Sequence, residues 1–168
     1  MSGTSPSVRA VVRTATQDDL EAILHIGHEC WRTTYVPITG PDYVERGLAG
    51  WWTPETNRPA IDEGRVLVAE VDGLVLGMAS TSVADDHVVV WRLYVLPEAH
   101  GQGLGTLLLE AVEAAAPLGT LGLRLSHLEG NDRARGFYEH LGFVATGERK
   151  PSTIGGPDDL WMQRPLQR

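Results

Sequence analysis

The chain has 168 residues, a formal net charge of −8 and a single cysteine, Cys30. That length suits one domain with a well-filled core, read here as residues 8–166 after a disordered leader over residues 1–7. The acidic balance, with no run of Lys and Arg, argues against nucleic acid or an anionic membrane surface as the main partner, and a lone cysteine excludes an internal disulfide and a cysteine-rich metal site. The opening MSGTSPSVRA lacks an apolar centre and no run is long enough to span a bilayer, so a cytoplasmic location is expected and no metal or membrane partner.

Val8 to Arg13 reads as a first strand. Thr16 then caps a helix, with Asp19 three residues on as in a capping box. Leu20, Ile23, Leu24, Gly27 and Trp31 share one face of that helix, which is expected to run to about Tyr35 and to stop at Pro37. A second helix is predicted from Asp42 towards Trp51, interrupted by Gly47 and Gly50, and Pro54 and Pro59 bracket a loop or short turn. Asp72-Gly73 between the apolar runs Val66–Val71 and Leu74–Val83 is a two-residue hairpin signal. Asp85-Asp86 makes the next turn, and His87 to Val95 is the third strand of a meander.

Gly101, Gly103 and Gly105 follow that strand. Leu104, Leu107, Leu108, Ala111, Val112 and Ala115 then fall at the spacing of a buried helix face, ending before Pro117. The first amides of a helix lack partners and carry the positive end of its dipole, so a glycine loop at this point is either a cradle for a diphosphate or a plain connecting turn. It is not a P-loop, for no lysine follows Gly105, and the third glycine of a dinucleotide fingerprint is replaced by Thr106. The rest of the chain reads as a strand over Leu121–Leu128, a helix over Asn131–Leu141, a strand over Phe143–Arg149, a loop through Gly155, Gly156 and Pro157, and a last strand near Leu160–Gln163.

The spacing His100-x-x-Gly103-x-Gly105 after a strand resembles the acyl-CoA pyrophosphate loop of the GCN5-related N-acetyltransferase (GNAT) family, in which His100 would be Arg or Gln. The order of elements resembles that family over nearly the whole chain. So does the run Asn131 to Phe143, where Asn131, Ala134, Phe137-Tyr138 and Gly142-Phe143 match its Asn, Ala, Phe-Tyr, Gly-Phe signature. The resemblance implies an α/β (α+β) single-domain acyl-CoA N-acyltransferase fold. It would have a mixed, mostly antiparallel sheet of six to seven strands flanked by about four helices.

It also implies acetyl-CoA as cosubstrate, held by His100, Gly101, Gln102, Gly103, Leu104, Gly105 and Thr106, by the strand backbone at Tyr94 and Val95, and by Asn131. A bulge would splay the Tyr94 strand from the next, with pantetheine in the opening. A backbone donor near Tyr94 and Val95 would meet the oxyanion, and the Tyr138 hydroxyl would protonate the departing thiolate as general acid. By themselves, Asn131 would be a helix cap and Tyr138 a half-buried aromatic.

An alkylammonium with a pKa of about 10 must lose a proton before it attacks. Many members of the family carry a glutamate on the strand before the glycine loop, where this chain has Val88, Val89 and Val90. His87 is the named candidate base, with Asp85, Asp86, Glu29 and water as alternatives. The family's acceptor pocket would draw on the first two helices, here on Glu29, Trp31 and Tyr35, with Cys30, Trp51 and Trp52 nearby. Trp31 also continues the apolar stripe of its helix, and Trp51-Trp52 would serve equally as a helix cover or a homodimer contact. The expected activity is acetyl transfer to a small-molecule or peptide amine, with a longer acyl chain left open. The alternative is a non-catalytic acyl-CoA-binding or interaction module, motivated by the missing glutamate and by His100.

Overall fold

A computed structural model describes residues 9–167, so the expected leader and Val8 lie outside the described residues. Seven strands form one sheet: β1 (Ala10–Thr14), β2 (Val66–Val71), β3 (Leu74–Ala84), β4 (His87–Val95), β5 (Gly122–Leu128), β6 (Val144–Lys150) and β7 (Asp159–Pro165). Their order is β1-β2-β3-β4-β5-β7-β6, and β4 with β5 is the single parallel pair. The mixed, mostly antiparallel sheet is the one expected. Asp72 and Gly73 both take positive φ, 51° and 83°, which matches the right-handed twist of the hairpin they close.

The helices are α1 (Leu20–Thr39), α2 (Pro41–Trp51), α3 (Pro54–Asp62), α4 (Leu104–Ala114) and α5 (Asp132–His140). The capping box forms as read, with Thr16 N donating to Asp19 Oδ2 at 2.8 Å, but it opens a single 3-10 turn over Gln17–Asp19 from which α1 continues. Two expectations fail here. The helix does not stop at Pro37, because that residue lies in the last turn, exposed, where one lost amide costs little, and Gly40 N still reaches Val36 O at 2.9 Å. The Pro54–Pro59 segment is a helix and not a loop. Pro54 sits at its first turn, where the missing donor is not needed, and Thr53 caps Thr56 N. Buried Asn57 then ties it down, donating to Thr53 O at 2.8 Å and Trp51 O at 3.1 Å.

One face of the sheet carries α1, α2 and α3 over a core of Ile23, Ile26, Val44, Val68 and Met78; the other carries α4 and α5 over Leu104, Leu108, Leu125 and Phe143. The tryptophan pair belongs to the first core. Trp52 is buried, and Trp51, partly buried, packs edge-on to Trp31 at 5.6 Å, so the pair covers the helices, the first of the two roles the sequence left open. No helix among the described residues is long and apolar enough to cross a membrane.

Candidate active site

Strands β4 and β5 pair only over His87–Val90 and Gly122–Leu125 and then part. The cause lies on the other side of β4. Its register against β3 slips between Ser80 and Thr81, so Trp91 is an extra residue opposite none, a bulge that bends the strand away. Leu96 N donates to Leu76 O at 2.9 Å, which makes Leu96, Tyr94 and Arg92 the residues bonded to β3 and turns the backbone of Leu93 and Val95 to the free edge. Of the two expected backbone contacts, Val95 therefore faces the opening through its main chain. Tyr94 contributes its side chain instead, its hydroxyl 3.2 Å from that of Tyr35.

A cleft of about 430 Å³ runs from this gap to the start of α4. Gly101, Gly103, Leu104, Gly105 and Thr106 form one wall, and Asn131 and Tyr138 of the α5 segment another. Gly103 caps α4 with φ 78°, and the first helical bond closes from Leu107 N to Gly103 O at 3.0 Å. The amides of Leu104, Gly105 and Thr106 thus have no acceptor inside the helix, and no side chain caps them. A Cβ placed on Gly101 or Gly103 would enter open space, so the loop presents bare backbone and a positive dipole end to the cleft. Such a wall fits the diphosphate of coenzyme A. Gly105 serves packing instead, since its Cβ would lie 3.1 Å from the ring of Phe137.

His100 lines the cleft, with both ring nitrogens engaged by protein groups. Its Nε2 lies 2.8 Å from Val95 O and its Nδ1 2.9 Å from the Arg133 guanidinium, which can only donate. The imidazole therefore carries its proton on Nε2 and accepts from Arg133 on Nδ1, holding an arginine at the cleft wall. Arg133, inside the Asn131–Phe143 signature, thus places a positive charge on the cleft wall, a residue that the family's Asn, Ala, Phe-Tyr, Gly-Phe pattern does not single out. Gln102 is exposed and does not line the cleft, so its expected contact is not supported.

Asn131 Oδ1 accepts from Ala134 N at 3.2 Å, as a helix cap does, and the residue also lines the cleft. Tyr138, 8 % exposed, packs between Phe137 and Phe143 at ring distances of 5.6 and 5.8 Å, with its hydroxyl making no hydrogen bond to protein among the described residues. Burial first, and nearby Tyr94 second, hold this phenol protonated well beyond the ordinary tyrosine range. Cys30 lines the same cleft, but its thiol donates to Val95 O at 3.3 Å, and burial, with Glu98 and Glu29 adding to it, pushes its pKa up to about 12. A thiolate nucleophile is thereby disfavoured.

A second cleft, also about 430 Å³, opens on the α1–α2 side of the same gap. Tyr35, Trp91, Tyr94, Ser126 and His127 line both clefts, so the two meet where β4 and β5 part. Trp31 and Tyr35 are on its wall as expected. Glu29 is not: it lies on the exposed side of α1, one residue round from buried Cys30. His87 also falls outside both clefts, at the far end of β4 from the bulge, its Nδ1 2.6 Å from Asp86 Oδ1. The alternatives Asp85 and Asp86 share that distant turn. The acidic group in the second cleft is instead Asp159, at the first position of β7, with buried His127 beside it on the same wall. Burial, then Asp158, raises the Asp159 pKa, and His127 partly opposes them.

A parted parallel strand pair, bare helix amides at one end and a buried phenol on the wall of the first cleft define an acyl-CoA-binding transferase. Residues 62–145, half of the chain, match the acetyltransferase (GNAT) domain family. The chain belongs to that family and is an acetyl-CoA-dependent N-acetyltransferase. It is 27% identical to the spermidine N(1)-acetyltransferase of Thermoplasma acidophilum over 79% of this chain and 86% of that one. Over 40% of this chain and 44% of the other it is 37% identical to the peptidyl-lysine N-acetyltransferase YjaB of Salmonella typhimurium. In fold it resembles the paia N-acetyltransferase of Thermoplasma acidophilum solved with coenzyme A, with a TM-score of 0.82, 23% identity and coverage of 94% and 99% of the two chains.

Proposed function

We propose that the protein moves the acetyl group of acetyl-CoA directly to a primary amine seated in the second cleft, within a ternary complex. The observation that carries this reading is the shared wall of Tyr35, Trp91, Tyr94, Ser126 and His127, which lets a donor in the first cleft and an acceptor in the second meet without a covalent enzyme intermediate. Acetyl-CoA supplies an activated thioester. The amides of Leu104, Gly105 and Thr106 and the Arg133 guanidinium bind its diphosphate, and the backbone of Leu93 and Val95 holds its arm along the free edge of β4.

Asp159 takes the proton of the attacking amine, assisted by His127. Apolar walls raise a carboxylate pKa and lower that of an ammonium, which narrows the gap that the transfer must cross. As the carbon–nitrogen bond forms and the carbon–sulfur bond breaks, the Val95 N–H meets the charge on oxygen and the Tyr138 hydroxyl gives its proton to sulfur. The products are an acetamide and coenzyme A thiol. The relatives' names support an amine acceptor, spermidine in one and a peptide lysine in another. A cytoplasmic setting is part of this proposal; among the described residues no helix is long and apolar enough to cross a membrane. A homodimer would have to use surfaces other than buried Trp52.

Initial-rate kinetics with both substrates varied test the scheme. Intersecting double-reciprocal lines are expected; parallel lines, diagnostic of an acetyl-enzyme, would overturn direct transfer.

A further inference from the structure

Resting on that reading of the second cleft as the acceptor site, we propose that the acceptor is an amino acid, whose carboxylate is held by Arg92 while its amine reaches the shared mouth of the two clefts. Arg92 lies on β4 next to the bulge and lines the second cleft but not the first. Its guanidinium sits 4.3 Å from the ring centroid of Trp52. It donates to Asn57 Oδ1 at 2.5 Å and to Trp51 O at 2.8 Å, two neutral acceptors.

Among the described residues, Arg13, Arg65, Arg124 and Arg164 are the other arginines not exposed to solvent, and each is paired with a carboxylate: Asp19, Glu63, Glu148 and Glu113 respectively. Arg92 alone of this group has none. A guanidinium withdrawn from water without a counter-charge is costly, and burial does depress its pKa. Two of its five N–H donors are committed, and the planar fork that remains matches the two oxygens of a carboxylate. Asn57 and the Trp51 carbonyl fix the plane, and the Trp52 ring backs it, so the fork is oriented before anything binds.

The same cleft carries groups of both kinds that a zwitterion needs. Lys150 stands opposite Asp159 in the β6–β7 register, 5.1 Å from the Trp161 ring centroid, and its charge is already paired with Glu148 at 3.2 Å. Asp159 and His127 supply the proton-accepting side, and His127 belongs to the shared mouth. A polyamine would meet one carboxylate here and, in Arg92, a cation with no carboxylate of its own. That charge set disfavours spermidine, the acceptor named for the Thermoplasma relative.

The test compares each of a panel of L-amino acids with its own amide and its decarboxylated amine, and with spermidine, by thiol release from acetyl-CoA. The preferred amino acid is expected to exceed its decarboxylated partner in kcat/KM by about a hundredfold or more, since a site built to bond a polar group rejects the analogue that lacks it. Arg92→Gln should collapse that ratio through KM for the amino acid, with KM for acetyl-CoA unchanged. Equal or better use of the decarboxylated amine or of spermidine by the natural enzyme overturns the proposal without touching acetyl transfer. So does an Arg92→Gln enzyme that loses turnover of all amines in the same proportion along with its Tm, which would make Arg92 a strut between β4 and α2–α3. Calorimetric binding of the amino acid in the presence of coenzyme A, with no thiol release in the assay, would keep the carboxylate site and refute the transfer reading instead.

Discussion

The ring of Trp52 fills the space that a side chain on residue 27 would need: a Cβ built on Gly27 would lie 2.0 Å from Trp52 Cε3. The arrangement is reciprocal, since a Cβ on Gly47 of α2 would lie 2.0 Å from Cζ3 of Trp31 on α1. Each helix offers a bare patch to the other's indole, and Trp52 in turn supports Arg92 and Tyr94. Gly27→Ala should therefore cost about 1–3 kcal/mol of stability, the usual penalty of overpacking, and should raise KM for the acceptor more than for acetyl-CoA. Chemical denaturation and steady-state kinetics on the same variant would check both, and an unchanged midpoint would count against the packing argument.

Replacing the phenol should separate chemistry from binding. Tyr138→Phe keeps the ring between Phe137 and Phe143 and removes only the hydroxyl, so kcat is expected to fall about a hundredfold or more while the Kd for coenzyme A stays within about twofold. Full activity of this variant would remove Tyr138 from the mechanism.

Arg133 should behave in the opposite way. Arg133→Ala takes the cation from the diphosphate wall and frees His100 Nδ1, so KM for acetyl-CoA should rise by about tenfold or more with kcat nearly kept. Raising the salt should weaken acetyl-CoA binding in the natural enzyme and do so less in the variant. Equal salt dependence in the two would show that the helix amides carry the interaction alone.

Two aspartates predict opposite responses to pH. Asp159 has a raised pKa, from burial first and Asp158 second, against an attraction to His127, so its contribution to stability is present below the unfolded carboxylate value of about 3.9 and is lost as pH rises through the folded one. The acid limb of kcat/KM should accordingly lie above the ordinary carboxylate range, and Asp159→Asn should abolish that limb and cut the rate. Asp19 has a lowered pKa, chiefly from the Arg13 hydrogen bonds at 2.8 and 2.9 Å, so its contribution is present above about 3.9 and is lost as pH falls through the folded value. Asp19→Asn should flatten acid unfolding without altering the activity profile, as followed by circular dichroism across pH.

Arg164 and Glu113 join β7 to α4 at 2.9 Å with side-chain exposures of 7% and 13%. Arg164 also donates to Leu141 O at 2.7 Å. Arg164→Ala leaves a nearly buried carboxylate without its partner and should cost about 3–5 kcal/mol, measurable by urea denaturation.

Local signals in the chain carried the donor side. Asp72-Gly73 set the hairpin, the alternating glycines set the mouth of α4, and the spacing from Asn131 to Phe143 placed a cap and a phenol on one wall. The acceptor side was far less legible because its groups meet only through pairing across distant segments. Asp159 reaches the cleft because β7 inserts between β5 and β6, and Arg92 acquires its surroundings from α2 and α3, some forty residues earlier. His87 and Glu29 were credible bases by residue type, yet the one sits at the paired end of β4, away from the opening, and the other on the outer face of α1. Helix α3 was hidden by its two prolines, which mark loops more often than they open helices.

The single extra residue at Trp91 leaves the two halves of the sheet joined by four residue pairs across β4 and β5. Coenzyme A bound along the free edge would bridge that seam, so ligand affinity and mechanical continuity of the molecule become the same quantity. Amide exchange at Leu93 and Val95, on the β4 side of the junction, should slow when donor is added, and an acceptor arriving afterwards meets a stiffer frame than the one the donor found.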